Sequence, residues 1–178
     1  MSDGGVGPAK QIISRHGKNF SVCWTPDGRL VYSSARNTNS DLWIMNSDGT
    51  DEKQLTVGVG YNTSPSVTGD GRYIVFESLR SGATNIWRTD LDGANPMQLT
   101  RGNNDRNPQT SPDGRWVVYE SRDAAISTLW KVPIDGGTAV QLVGKSSWQP
   151  AISPRRKADS FLLSGRTEFF REIRSHSL

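Results

Sequence analysis

Three aspartates that recur along the chain are the first residues that could carry chemistry. Asp27, Asp70 and Asp113 each precede a glycine, and carboxylates at fixed spacing can act as general acids, general bases or metal ligands. In a Pro-Asp-Gly or Gly-Asp-Gly step, however, Asp bonds to its own backbone and Gly adopts positive φ. The sequence therefore predicts that these aspartates form turns.

Other catalytic groups are sparse. The histidines are His16 and His176, the single cysteine is Cys23, and no Gly-x-Ser-x-Gly segment is present to expose a nucleophilic serine. No pair of His or Cys residues has the spacing of a zinc site. We therefore predict no catalytic residue, no metal and no cofactor.

The tryptophans Trp43, Trp87 and Trp130 recur at intervals of 44 and 43 residues. They could form a stacking surface for sugars or bases, or they could pack between neighbouring structural units. Strict repetition at the centre of a predicted strand favours packing.

The arginines Arg36, Arg80 and Arg122 each follow a β-branched and aromatic run. They could together read an acidic partner. They could also pair with a carboxylate or carbonyl of their own or the next unit, and this second use is favoured.

These residues belong to one internal repeat. Gly28, Gly71 and Gly114 close the Asp-Gly turns at a constant spacing of 43 residues. The Leu/Ile-Trp, second Asp-Gly and Gln-Leu landmarks follow each turn in step. A turn, a β-rich run, a polar loop and two short strands fit four strands into about 43 residues, which is the size of one propeller blade. The predicted fold is all-β: a β-propeller with three complete four-stranded blades and a partial fourth.

The repeat also sets boundaries. Residues 1–19 are predicted to hold the outer strand of a preceding or closing blade, and 20–60, 61–102 and 103–144 the three blades. Residues 145–178 are predicted to form a degenerate partial fourth blade and a basic tail. The motif is lost after Pro154, which two explanations fit: degenerate strands of a fourth blade, or a piece of a longer gene whose C-terminus is altered.

The repeat resembles that of a known family. Thr-Pro-Asp-Gly-Arg at 25–29 and Ser-Pro-Asp-Gly-Arg at 111–115, with Leu/Ile-Trp, Asp-Gly and Gln-Leu, is similar to the WD-like repeat of TolB-like β-propellers over about residues 20–154. Gly69 departs from the usual Pro. The resemblance implies periplasmic scaffolds, sensor domains or peptidase gating domains, and a periplasmic or extracytoplasmic location. The N-terminus shows no signal peptide.

Loops that break the repeat are the predicted recognition sites, because a repetitive frame does not require their residue types. These loops precede each innermost strand and share one face with the arginine loops. The candidate partner-binding residues are Arg36, Tyr61, Asn62, Arg80, Asn104, Arg106, Arg122 and Trp148.

Charge and hydropathy narrow the partners. Residues 155–178 carry the whole net charge of +3, which a solvated tail explains better than nucleic-acid binding. No apolar stretch reaches the roughly 20 residues of a membrane helix.

The sequence predicts a non-enzymatic scaffold that binds a protein or peptide, with the gating propeller of a prolyl-oligopeptidase-like serine peptidase as the alternative. Two open ends also predict a homodimer or another ring-closing self-association, with closure of a single chain as a four-blade ring as the alternative.

Overall fold

The computed structural model describes residues 11–12, 17–36, 38–58, 60–123 and 126–143, and the backbone of two short strands at 160–162 and 172–174. Within these residues, no helix is long or apolar enough to span a bilayer.

Three antiparallel sheets of four strands follow one another along the chain, each with its strands in sequence order. The first contains β1 (Lys18–Trp24), β2 (Arg29–Ala35), β3 (Ser40–Asn46) and β4 (Lys53–Gln54). The second contains β5 (Thr63–Val67), β6 (Tyr73–Ser78), β7 (Asn85–Asp90) and β8 (Met97–Gln98). The third contains β9 (Asp105–Thr110), β10 (Trp116–Asp123), β11 (Ile126–Pro133) and β12 (Val140–Val143). The predicted all-β fold with three complete blades is confirmed.

The register is the same in the three blades. The aromatic residue in the middle of the second strand lies directly opposite the repeated tryptophan on the third strand. The pairs are Tyr32 with Trp43, Phe76 with Trp87, and Tyr119 with Trp130. Because side chains opposite each other in an antiparallel pair share a face, each blade presents one aromatic pair on the same side.

The turn between the first two strands of each blade is built as the sequence predicts. Gly71 and Gly114 have φ of +71° and +70°, and the side chains of Asp70 and Asp113 accept a hydrogen bond from the backbone N–H two residues on. The turn thus satisfies its own polar groups.

The core lies between blades as well as within them. Val31, Leu42 and Leu55 of blade 1 pack against Ile74 and Phe76 of blade 2. Blade 2 packs in the same way against blade 3 through a second cluster, whose buried members are Val75, Ile86, Leu99, Val117, Tyr119, Val132 and Ile134. Each sheet therefore depends on its neighbour for burial, as expected of a repeat protein.

A partial fourth strand group is also present. β13 (Ser160–Leu162) pairs antiparallel with β14 (Glu172–Arg174). At the other end of the chain, β1 begins at Lys18, slightly before the predicted start of blade 1. Gln11 and Ile12 of the predicted N-terminal strand are not in a strand, and the rest of that segment lies outside the described residues. The described sheets do not close into a ring.

Candidate functional site

The repeated aspartates stabilise turns, and the hydrogen bonds that they accept favour the ionised carboxylate. Thr68 Oγ1 donates to Asp70 at 2.6 Å and Ser111 Oγ donates to Asp113 at 2.5 Å. At Asp27, hydrogen bonds from Arg29 and Thr25 lower the carboxyl pKa to about 2. The turns thus account fully for these carboxylates, as the sequence analysis expected.

The single cysteine, Cys23, lies where burial disfavours its thiolate. Burial raises the pKa of the Cys23 thiol to about 12, so little of the nucleophilic thiolate forms near neutral pH. His16 and His176 lie outside the described residues. In the part of the chain that the structure covers, no group of three His, Cys, Asp or Glu residues is arranged to hold a metal ion.

Loops from neighbouring strands meet at one end of the blades. The backbone N–H of Asn62, just before β5, donates to Ser40 O at the start of β3, at 2.9 Å. The N–H of Asp105 donates to Thr84 O at 2.8 Å in the same way. We call this end of the blades the loop face. It brings together the loops that precede the innermost strands and the loops between the second and third strands, as predicted.

An aromatic pair stands on the loop face. Tyr61 is 40% exposed and Phe20 is 48% exposed, and their ring centroids lie 6.0 Å apart at an interplanar angle of 58°. The two residues come from adjacent blades. Both residues belong to the variable segments at the start of the innermost strands; Tyr61 was among the candidate partner-binding residues, and Phe20, which lies within β1, was not.

Asn62 was a candidate contact residue, and the structure corrects that prediction. Its side chain is fully buried. Nδ2 donates to Asp41 at 3.2 Å, and Oδ1 accepts a hydrogen bond from Ser78 Oγ at 2.8 Å. Asn62 therefore joins blade 1 to blade 2, and no surface remains for a partner to contact.

Arg36 folds back onto its own blade. Its guanidinium lies 3.6 Å from the centroid of the Trp43 ring. It makes a bidentate pair with Glu52, with Nη1–Oε2 at 2.9 Å and Nη2–Oε1 at 2.5 Å, and Nη2 donates to Tyr32 Oη at 2.9 Å. Hydrogen bonds to Glu52 raise the pKa of Arg36 above its ordinary value.

Arg80 takes the same position in blade 2 with different partners. Its guanidinium lies 4.9 Å from the Trp87 ring centroid and 5.3 Å from that of Phe76. Nε donates to Ser78 Oγ at 3.1 Å and Nη2 approaches Asn62 Oδ1 at 3.3 Å. Both arginines lie along their own blade, in keeping with the structural use that was favoured over a ring of guanidinium groups reading an acidic partner.

Arg122 is not equivalent to the other two arginines. It follows Tyr119 by three positions, whereas Arg36 follows Tyr32 by four. It lies within β10 and donates from Nε to Glu120 at 3.1 Å. The sequence alignment of the three arginines was therefore out of register at Arg122.

Glu120 is a buried carboxylate that the sequence analysis did not select. Burial opposes its ionisation, but hydrogen bonds from Arg122, Ser127 and Asn107 outweigh that effect and hold its pKa below the ordinary value. The backbone N–H of Asn107 also donates to Glu77 of blade 2 at 2.7 Å. Through Asn107, these acids help to hold β9, the innermost strand of blade 3, between the second strands of blades 2 and 3.

Asn104 and Arg106 remain on the loop face. Arg106 is exposed, and its Nε donates to Asn104 Oδ1 at 2.5 Å. The carbonyl of Asn104 accepts the backbone N–H of Arg122 at 3.0 Å. Trp148, the last candidate, lies outside the described residues.

The repeated tryptophans are half-buried. Trp87 packs against the cluster between blades 1 and 2, and Trp130 against the cluster between blades 2 and 3, which confirms the packing prediction for both. Trp43 packs on its own blade. Ile74 and Phe76, by contrast, are fully buried near the centre of β6.

The match to a family model decides the identity of the repeat. The model of the TolB β-propeller domain matches residues 5–158, which is most of the chain. The chain belongs to the TolB β-propeller domain family. Its blades and Asp-Gly turns are those of a TolB-like propeller, as the sequence resemblance implied.

Named relatives agree with this assignment. The chain is 32% identical to a TolB-type protein of Agrobacterium tumefaciens, with a TM-score of 0.64, over 72% of this chain and 52% of that one. It is 23% identical to TolB from Acinetobacter baumannii, with a TM-score of 0.71, over 85% of this chain and 41% of that one. An uncharacterised protein of Agrobacterium fabrum is 33% identical over 46% of this chain and 28% of its own length. The chain thus spans about half or less of these relatives.

A peptidase shares the fold. The acylaminoacyl peptidase of Pyrococcus horikoshii is 16% identical, with a TM-score of 0.62, over 82% of this chain and 27% of that one. At this identity the likeness concerns the fold alone.

Proposed function

We propose that this TolB-like propeller is a non-enzymatic module that binds a protein or peptide through its loop face. The observation that carries the proposal is the exposed Phe20–Tyr61 pair, which two adjacent blades hold at the end where their loops meet. Aromatic and arginine side chains are enriched in protein interfaces, and they supply much of the binding energy there.

The neighbouring residues suit the same use. Arg106 is exposed beside Asn104, and Leu79 is 43% exposed in the loop after β6. Rigid strands hold these loops, so that binding would order few side chains and cost little conformational entropy. The proposed binding surface is therefore Phe20, Tyr61, Leu79, Asn104 and Arg106.

The alternative function is the gating propeller of a serine peptidase, and the shared fold of the Pyrococcus peptidase is what favours it. In that case the catalytic domain belongs to another part of a longer protein. An α/β-hydrolase pattern elsewhere in the parent reading frame would decide for this alternative. A kinase or DNA-binding domain there would decide for a sensor.

Peptide selection tests the loop face directly. Peptides enriched from a random library on the immobilised chain are expected to lose at least about tenfold in affinity for the Phe20→Ser/Tyr61→Ser double variant, because interface aromatics are common hot spots. Calorimetry on the purified peptides measures the loss.

The matched control changes exposed residues at the other end of the blades. Arg29→Ala/Arg115→Ala alters two Asp-Gly turns and leaves the loop face intact, so its affinity is expected to equal that of the wild type. Equal affinity for the aromatic double variant, or selection that yields no binding peptide, would contradict the proposal.

The second part of the proposal is self-association. Val22 and Trp24 are 62% and 63% exposed, and they lie opposite Tyr32 and Leu30 on the face of blade 1 that points away from blade 2. An apolar sheet face at an open end favours pairing with another chain. We propose that two chains join around a two-fold axis through their open ends.

Light scattering after size exclusion measures the oligomer. We expect a dimer for the wild type. We expect a monomer for Trp24→Glu, which places a charge on the face of blade 1 that points away from blade 2. Tyr61→Glu on the loop face serves as the control and is expected to stay dimeric. A wild-type monomer at micromolar concentration, with no dependence on concentration, would rule out the dimer.

A further inference from the structure

A pocket of about 380 Å³ lies between the first two blades. Blade 1 lines it with the segment Leu55–Val57 that follows β4. Blade 2 contributes Phe76, Arg80, Trp87 and Pro96. The volume is near the lower end of the range of about 300–1,000 Å³ for ligand sites, so the pocket suits one amino-acid residue or a molecule of similar size.

The repeat shows what chemistry fills the same position in blade 1. There, Arg36 lies over Trp43 and binds the carboxylate of Glu52 in a bidentate pair. The hydroxyl of Tyr32 donates to the same carboxylate. In blade 1, a carboxylate of the blade itself, that of Glu52, therefore occupies the arginine that lies over the tryptophan ring.

Blade 2 keeps the arginine and tryptophan and lacks the acid. Trp43 pairs with Gln54 and Trp87 with Gln98, which fixes the register of the outer strands. In this register Pro96 stands where blade 1 has Glu52, and Phe76 stands where blade 1 has Tyr32. The carboxylate and the hydroxyl that bind the guanidinium in blade 1 are both replaced by apolar groups.

Arg80 is left with neutral partners. It bonds to Ser78 and Asn62, and in the described part of the chain it makes no ion pair. Burial lowers its pKa, and Asp41 of blade 1 offsets this only electrostatically, since its carboxylate accepts hydrogen bonds from Gln54, Thr56 and Asn62. Arginine stays charged in proteins, so Arg80 is a half-buried cation beside an open pocket.

We propose that the pocket between blades 1 and 2 binds a carboxylate group, which takes on Arg80 the place that Glu52 takes on Arg36. The guanidinium fork matches a carboxylate in two parallel hydrogen bonds, and such charge-assisted pairs are the stronger ones. Trp87, Leu55 and Pro96 give apolar contacts to the rest of the ligand. The carboxylate can come from an acidic side chain or from a chain terminus. This inference does not depend on binding at the loop face.

Small probes with matched uncharged controls test the proposal on the full chain. N-acetylglutamic acid α-amide presents a side-chain carboxylate, and N-acetylleucine presents a terminal one. The controls are N-acetylglutamine amide and N-acetylleucine amide. NMR titration follows the indole N–H of Trp87, assigned with Trp87→Phe. We expect at least one acid to bind at least about tenfold more tightly than its amide, and the acid that binds identifies the source.

Two variants supply independent controls. Pro96→Glu restores the acid that blade 1 carries, so it is expected to occupy Arg80 internally and to reduce probe binding at least about tenfold with the fold intact. Arg80→Gln removes the cation and is expected to reduce binding similarly. The proposal is overturned if acids and amides shift the Trp87 signal alike, if no probe shifts it, or if Pro96→Glu binds as the wild type does.

Discussion

Phe76→Ala is expected to lower the free energy of unfolding by about 3–5 kcal/mol, the usual cost of removing a buried phenyl group. Phe76 has no exposed surface, and its ring lies in the cluster that joins blade 1 to blade 2. The substitution removes contacts on both sides of that boundary and leaves a cavity. Denaturant unfolding measured by fluorescence gives the difference.

An exposed aromatic residue provides the control for Phe76. Tyr61→Ala removes a ring that is 40% exposed on the loop face, so we expect a loss of at most about 1 kcal/mol. Equal and small losses for the two variants would mean that the blades do not pack on one another as described. Equal and large losses would mean that the loop face is part of the core.

Gly93→Ala is the second substitution with a large expected effect. Gly93 has φ of +92°, and a Cβ there would overlap the carbonyl oxygen of Leu55 in blade 1. The conformation costs an L-residue about 1–2 kcal/mol, and the overlap adds roughly 1–3 kcal/mol because backbone must shift. The second Asp-Gly turn of blade 2 thus sets how closely two blades approach.

Gly82→Ala is the control that separates the conformational cost of Gly93→Ala from the cost of the steric overlap. Gly82 has φ of +89°, and a Cβ there would meet no atom within 4 Å. Gly82→Ala is expected to cost only the conformational part, about 1–2 kcal/mol. Thermal or denaturant unfolding of both variants compares them. A loss at Gly93 no greater than the loss at Gly82 would show that the blades are further apart than described.

The blades were predictable because the residues within each repeat are sufficient to specify its turns and strands. The Asp-Gly turns at Gly28, Gly71 and Gly114 fix where the first hairpin reverses, and the β-branched runs that follow need no information from elsewhere in the chain. Local sequence therefore predicted the strand order, the turn geometry and the structural role of the aspartates.

The site was less predictable because side-chain direction depends on the neighbouring blade. Asn62 and Tyr61 are adjacent in a loop, yet one is buried between blades and the other is exposed. The difference arises because the Asn62 amide forms hydrogen bonds with Asp41 of blade 1 and with Ser78 of blade 2. No repeat pattern specifies such contacts.

The pocket could have been found from the sequence by looking for differences between the repeats. The residues that the repeats share include Trp87 and Arg80, but the pocket results from a difference, which is Pro96 in place of Glu52. A change at one position of a fixed register matters here because it removes the ion pair of a half-buried arginine.

The central claim is that this TolB-like propeller binds its partner through the loop face. The most direct measurement is the NMR footprint of a selected peptide on the labelled chain. We predict that the largest shifts fall at Phe20, Tyr61 and the segment 104–106, with none in the Asp-Gly turns at the other end of the blades. A footprint centred on those turns, or on the outer strands β4 and β8, would contradict the account.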